Sequence, residues 1–199
     1  MTRTYKQPSP STRQAIASIV RGTVAGALGM LAMDAWLYRG YRQRNGTGAF
    51  FDWESSAGLD SWESAPAPAL VAKRLLEATL GREISPRHGR LLNNATHWGF
   101  GLANGAAYGL FGSRNTPNPW AGIPFGAAVW ASGYVVLPPL GVYEPIWRYD
   151  AATLRADLTA HLVFGTATGA AVSLLARAER ARMTTRARRS LHHTTRKGG

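Results

Sequence analysis

The chain of 199 residues carries a formal charge of +12 and has no cysteine, which excludes disulfides, thiolate catalysis, Cys-ligated zinc and lipoprotein attachment. A strongly basic balance fits nucleic-acid binding, an anionic membrane surface, or the basic cytoplasmic segments of a membrane protein. The position of the charge separates these: nearly all of it lies within residues 1–21, 39–90, 144–157 and 177–197, with chargeless runs between, which suits a bilayer better than water.

A basic tail, 1–14, leads into the first of four runs that approach the ~20 apolar residues needed to cross a bilayer. The runs are 15–37, 91–111, 120–140 and 158–176, and the last three contain no Asp, Glu, Lys or Arg. The first holds Arg21 and Asp34 near its two ends, where a charged group reaches the interface by snorkelling. Trp36, Tyr38 and Tyr41 follow the first run, and Trp120, Tyr143 and Trp147 bracket the third. Amphipathic rings favour that headgroup level. Two other readings fit parts of the pattern: a soluble four-helix protein with Gly-rich buried helices, and a cleaved signal peptide for the first run. Against the second stand the length of the run and its interruption by Arg21.

The loop 38–90 is the sizeable extramembrane segment. Its first part, GTGAFFDWESSAGLDSWES, reads as an irregular cap with Phe50, Phe51, Trp53 and Trp62 as interface anchors. Its second part, PAPALVAKRLLEATLGREI, reads as a short amphipathic helix with Pro68 in the first turn and Gly81 at the C′ position. Such a helix lies in the membrane plane or caps the bundle. The turn 112–119 is short, Pro138-Pro139 ends or bends the third span, and 177–199 reads as a disordered basic tail. That tail holds Lys and Arg against one acid, Glu179, so the positive-inside rule places both termini in the cytoplasm. Arg39, Arg42, Arg44, Arg87 and Arg90 flank spans on the opposite side and weigh against this orientation.

The second and fourth spans both read H-x-x-F-G-x-x-x-G, from His97 to Gly105 and from His161 to Gly169. Gly22-x-x-x-Gly26 likewise matches Gly122-x-x-x-Gly126. Together they predict an all-α, four-span bundle built from a duplicated two-helix hairpin, with the long loop inserted in the first copy. Spacing four puts small residues on one helix face, where backbones approach closely. Gly22, Gly26, Gly101, Gly105, Gly109, Gly122, Gly126, Gly165 and Gly169 are therefore packing positions.

Helix direction places Asp34, Asn93, Asn94, His97, Asp157 and His161 in one polar layer near the outer surface, with Tyr134 approaching it. Intramembrane His and Asn most commonly bond neighbouring helices. A proton or ion relay and a metal site are the alternatives, since imidazole titrates near neutral pH and ligates metals. His-x-x-Phe lacks the second ligand of a zinc motif, so no metal ligand, cofactor or catalytic residue is assigned. The sequence has no phosphate loop, nucleophile elbow or carboxylate pair at catalytic spacing. The basic tail offers no aromatic platform for a specific nucleic acid.

The Gly-rich first span ending in Met-x-x-Asp, the H-x-x-F-G helices and the aromatic third span with its proline end resemble small four-helix bacterial inner-membrane proteins of the YagU type. The resemblance spans roughly residues 15–176, implies that architecture, and carries over no functional residue. The loop DWESSAGLDSWES departs from the shorter family pattern. The expected function is that of a non-enzymatic structural or partner-modulating membrane protein, with the lipid bilayer and a second copy or membrane partner around it. The alternative is a small oligomeric proton or cation transporter or channel acting through Asp34, His97 and His161.

Overall fold

Helix boundaries follow the breakers in the sequence. In the computed structural model, which describes residues 10–112 and 118–195, the chain is all-helical. Helix α1 (Pro10–Gln43) is longer at both ends than the apolar run it contains. Proline is tolerated in its first turn, and nothing breaks it until RNGTG, where Asn45 adopts a φ of 65°. The loop expected to be irregular contains a short helix, α2 (Phe50–Glu54). Helix α3 (Ala67–Leu80) has Pro68 in its first turn and ends at Gly81, whose φ of 64° is the left-handed conformation glycine adopts freely.

Helix α4 (Gly89–Ala107) continues through a π-helical turn, Tyr108–Gly112. A 3-10 turn, Pro119–Ala121, opens with the Asn118 side chain accepting from the Trp120 amide and leads into α5 (Gly122–Val136). At 15 residues α5 is shorter than the run 120–140, because Pro138 cannot continue a helix. Helix α6 (Ala151–Thr195) spans 45 residues. It includes 177–195, read from sequence as disordered tail; the run RAERARMTTRARRS is rich in Ala and Arg, good helix formers, and has no breaker. The N-terminal tail at 1–9, the turn at 113–117 and the chain end at 196–199 lie outside the described residues.

Packing follows two i,i+4 rows on α1. Gly22 and Gly26 face α4: a Cβ on Gly22 would meet the Gly105 carbonyl and lie 2.8 Å from Gly109 Cα, and one on Gly26 would lie 2.9 Å from Gly105 Cα. Met30 ends this row against Gly101. The neighbouring row, Arg21, Ala25 and Gly29, faces α6. Arg21 Nη1 donates to Glu179 Oε2 at 3.1 Å, Ala25 packs with Ala171 and Val172, and Gly29 sits against Thr168 and Phe164. Gly29 therefore leaves the Gly22–Gly26 groove, since it lies about 60° around the helix from Gly26.

Helix α6 is two-faced in the same way. Its His161–Gly165–Gly169 row meets Gly122 and Gly126 of α5, with Gly122 Cα 2.9 Å from a Cβ on Gly169 and Gly165 Cα 3.2 Å from one on Gly126. The helices thus stand in the order α5, α6, α1, α4, with α3 against the outer flank of α4. These contacts make each neighbouring pair among α5, α6, α1 and α4 antiparallel.

The core is apolar, with Ala25, Met30, Val129, Phe164 and Val172 buried, and the departure from a water-soluble bundle lies on the outside. Asp34, Asn93, Thr168 and Ser173 are buried, whereas Ile16, Val20, Val24, Leu28 and Leu31 of α1, Phe100 of α4 and Val135 of α5 are exposed. Soluble monomers rarely expose a contiguous apolar face on that scale. Two helical stretches, Ser11–Gln43 and Ala151–Thr185, are long and apolar enough to cross a membrane by length and composition.

Candidate functional site

Five of the six polar-layer residues fall into two clusters, Asp34, Asn93 and His97 in one and Asp157 and His161 in the other, and Asn94 joins neither. The first joins α1 and α4. His97 Nε2 lies 3.1 Å from Asp34 Oδ1 and 3.3 Å from Oδ2, so Nε2 carries the proton when this bond forms with a carboxylate. Asp34 is 2% exposed. A carboxylate buried this far needs a bonded or charged partner, and His97 supplies one.

The cap loop completes this cluster. Glu54, the last residue of α2, brings its carboxylate in from above, where Oε1 accepts from Trp98 Nε1 at 2.7 Å. One ligand-type atom from each of Asp34, Glu54 and His97 lies within 4.8 Å of the others. Asn93, one turn before His97, donates from Nδ2 to Ser56 Oγ at 3.0 Å. Asn94 points elsewhere, to the Ser55 and Arg90 carbonyls. Arg90 is tied to the same loop through the carbonyl and hydroxyl of Ser55. A cavity of about 290 Å³ opens among Asp34, Glu54, Ser56, Asn93 and His97, roofed by Pro66 and Pro68.

Aromatic packing fixes the cap. Tyr38 meets Phe50 edge-on at 5.2 Å and Trp53 at 5.5 Å. The Tyr38 hydroxyl donates to the Gly48 carbonyl, and the Gly48 amide donates to the Tyr41 hydroxyl. Gly46 lies flat on the Tyr41 ring, where a Cβ would collide with it. The aromatic residues read from sequence as membrane anchors thus also hold the loop over α1.

The second cluster joins α5 and α6. Tyr134 donates to Asp157 Oδ2 at 2.9 Å, and His161 Nδ1 donates to the Asp157 carbonyl at 2.8 Å. Tyr143, tilted, and Tyr149, edge-on, pack against the Tyr134 ring, and burial pushes the Tyr143 phenol up, keeping it neutral. His97 and His161 do not form the single imidazole pair that the shared motif suggests. His97 bonds across to α1 whereas His161 bonds within α6, so each imidazole has its own carboxylate.

The glycine contacts set a register between the two helix pairs one turn away from the motif alignment. Gly22 and Gly26 meet Gly105 and Gly109 as Gly122 and Gly126 meet Gly165 and Gly169. In that register Asp34–His97 corresponds to Tyr134–Asp157. Both are hydrogen bonds across the same end of a glycine-packed helix pair.

Sequence reasoning missed Glu54, Ser56 and Trp98. Glu54 stands 43 residues before His97 in a loop, and no local spacing links them; its place in an aromatic-rich run was the available signal. Searches against protein-family models, curated proteins and solved structures found no match to this chain.

Proposed function

We propose that the chain is a four-span integral protein of the bacterial inner membrane, with both termini cytoplasmic, that acts without catalysis as a structural or partner-modulating component of a membrane assembly. The exposed aliphatic row from Ile16 to Leu31 carries this reading. The alternating directions of α1, α4, α5 and α6 support four crossings. The parallel glycine registers support descent from a duplicated hairpin.

Beneath Asp34, Met30, Val129 and Phe164 form an apolar layer. Thr168 and Ser173, deeper still, spend their hydroxyls on their own helix, bonding the Phe164 and Gly169 carbonyls. A dry layer under a capped polar cluster supports a packed structural element over a conduit. The buried Asp34–His97 pair favours the second reading, a proton or cation transporter or channel.

The test is a set of single cysteines in this Cys-free chain. Asp60→Cys and Arg148→Cys label from outside intact spheroplasts, whereas Asn115→Cys and Ser190→Cys label only after permeabilisation. Labelling of the first two only from the cytoplasmic side reverses the topology, and recovery of the chain in the soluble fraction removes the reading. Reconstituted vesicles show no proton or cation flux above protein-free ones; a flux lost in the His97→Ala/His161→Ala variant establishes the second reading instead.

A further inference from the structure

The cluster beneath the cap loop has the makings of a metal site. We propose that Asp34, Glu54 and His97 bind one divalent transition-metal ion, with Asn93 Oδ1 as a fourth ligand toward the ion or its water. Three independent elements, α1, α2 and α4, bring these groups together. The ligand atoms of Asp34 and His97 are already 3.1 Å apart, close to the roughly 3.3–3.6 Å between neighbouring ligands on a tetrahedral ion with 2.0–2.2 Å bonds. A carboxylate oxygen of Glu54 lies within 4.8 Å of both.

Charge points the same way. With a neutral imidazole, the two carboxylates put a formal −2 in one small cavity. Among the described residues, no Lys or Arg lines it. A divalent ion neutralises that charge, whereas a proton on His97 leaves half of it.

Asn93 supplies a separate observation. The residue is 5% exposed, and its Oδ1 is buried without a hydrogen-bond partner. Its Nδ2 is held by Ser56 Oγ, so the planar amide fixes where Oδ1 points, and Asn93 lines the same cavity as the three ligands. A buried, unpartnered carbonyl oxygen costs free energy, which a metal ion or its bound water relieves.

The mixed set of one nitrogen and two or three oxygens suits Zn²⁺ or Mn²⁺ and disfavours Mg²⁺, which takes oxygen ligands and keeps its water. The Trp98–Glu54 bond then acts as an orienting contact to a ligand carboxylate. Bound metal would clamp the cap loop onto α1 and α4, whatever medium surrounds the bundle.

The experiment uses the full chain, purified in detergent without a polyhistidine tag and with His192→Ala/His193→Ala to remove adventitious imidazoles from α6. Isothermal titration with Zn²⁺ and with Mn²⁺, Mg²⁺ as the comparison, gives one equivalent per chain and a rise in Tm with the bound metal. Glu54→Gln keeps an acceptor for Trp98 and so preserves the fold. It and His97→Gln weaken binding at least ~10-fold and abolish the Tm rise, while His161→Gln, in the other cluster, leaves both unchanged. Absence of binding at millimolar metal, equal binding by the Glu54→Gln and His97→Gln variants, or a preference for Mg²⁺ overturns the site. Because metal binding and labelling topology are read separately, failure here leaves the membrane assignment standing, and the reverse holds.

Discussion

Single atoms decide whether these helices meet. At Gly105 a Cβ would meet the Gly22 carbonyl and stand 2.7 Å from the Gly26 amide nitrogen, with backbone on both sides and no flexible side chain to yield. Gly105→Ile is therefore expected to cost at least ~2 kcal/mol by overpacking, read as a lower Tm in detergent. Gly99, on the same helix with nothing within 4 Å of its Cβ position, gives the control. Gly99→Ala is expected to be neutral or slightly stabilising, since alanine is the better helix former. At the other end of the bundle, Arg21 is 15% exposed at its side chain and pairs with Glu179. Glu179→Gln is expected to lower stability by ~1 kcal/mol or less. The charge-reversed pair Arg21→Glu/Glu179→Arg is expected to recover part of the loss, and a double-mutant cycle measures the coupling.

At the scale of elements, the caps are sensitive to acid. Asp150 starts α6: its Oδ1 accepts from the Ala152 and Thr153 amides at 2.8 and 2.9 Å, and its Oδ2 from the Thr153 hydroxyl at 2.8 Å. The Thr153 amide, then its hydroxyl and the Ala152 amide, hold the carboxyl below its usual 3.8. Glu77 lies in the last turn of α3: it pairs with Lys73 at 2.7 Å and accepts from the Ile84 amide at 2.9 Å, which holds its carboxyl below the usual 4.5. A depressed carboxyl contributes stability that is full above its unfolded pKa and lost as pH falls through the folded one. Hydrogen exchange at Ala152, Thr153 and Ile84 is therefore expected to lose protection below about pH 4. In Asp150→Asn, which still accepts but does not titrate, protection at 152 and 153 is expected to be independent of pH once intrinsic rates are removed.

For the whole molecule, the prediction concerns solvent. An exterior carrying Val20 at 57%, Phe100 at 49%, Val135 at 73% and Leu174 at 64% exposure is expected to keep the chain in the membrane pellet after high-salt and carbonate washes. Detergent is expected to release it. Release by salt alone would make it peripheral. The basic side chains that weigh against the charge rule are partly engaged within the cap: Arg90 on Ser55, Arg42 on the Thr47 carbonyl, and Arg39 over the Trp36 ring.

The sequence by itself determined an all-helical chain and much of what ends its helices, though not α2 or the continuation of α6 to Thr195. Gly81, Pro68 and Pro138-Pro139 act through their own backbone restrictions and need no partner. It also placed glycines at spacing four on one helix face, because that spacing is a property of one helix. What it left open was which helix meets which. The motif aligned His97 with His161, but contact register depends on how two surfaces slide together, and the glycine ridges lock one turn away from that alignment. Tertiary structure alone split the polar layer into two carboxylate–imidazole clusters and lowered Glu54 onto one of them. A loop's path over a bundle is set by long-range packing, here by Tyr38, Tyr41, Phe50 and Trp53, and no local period in the chain records it.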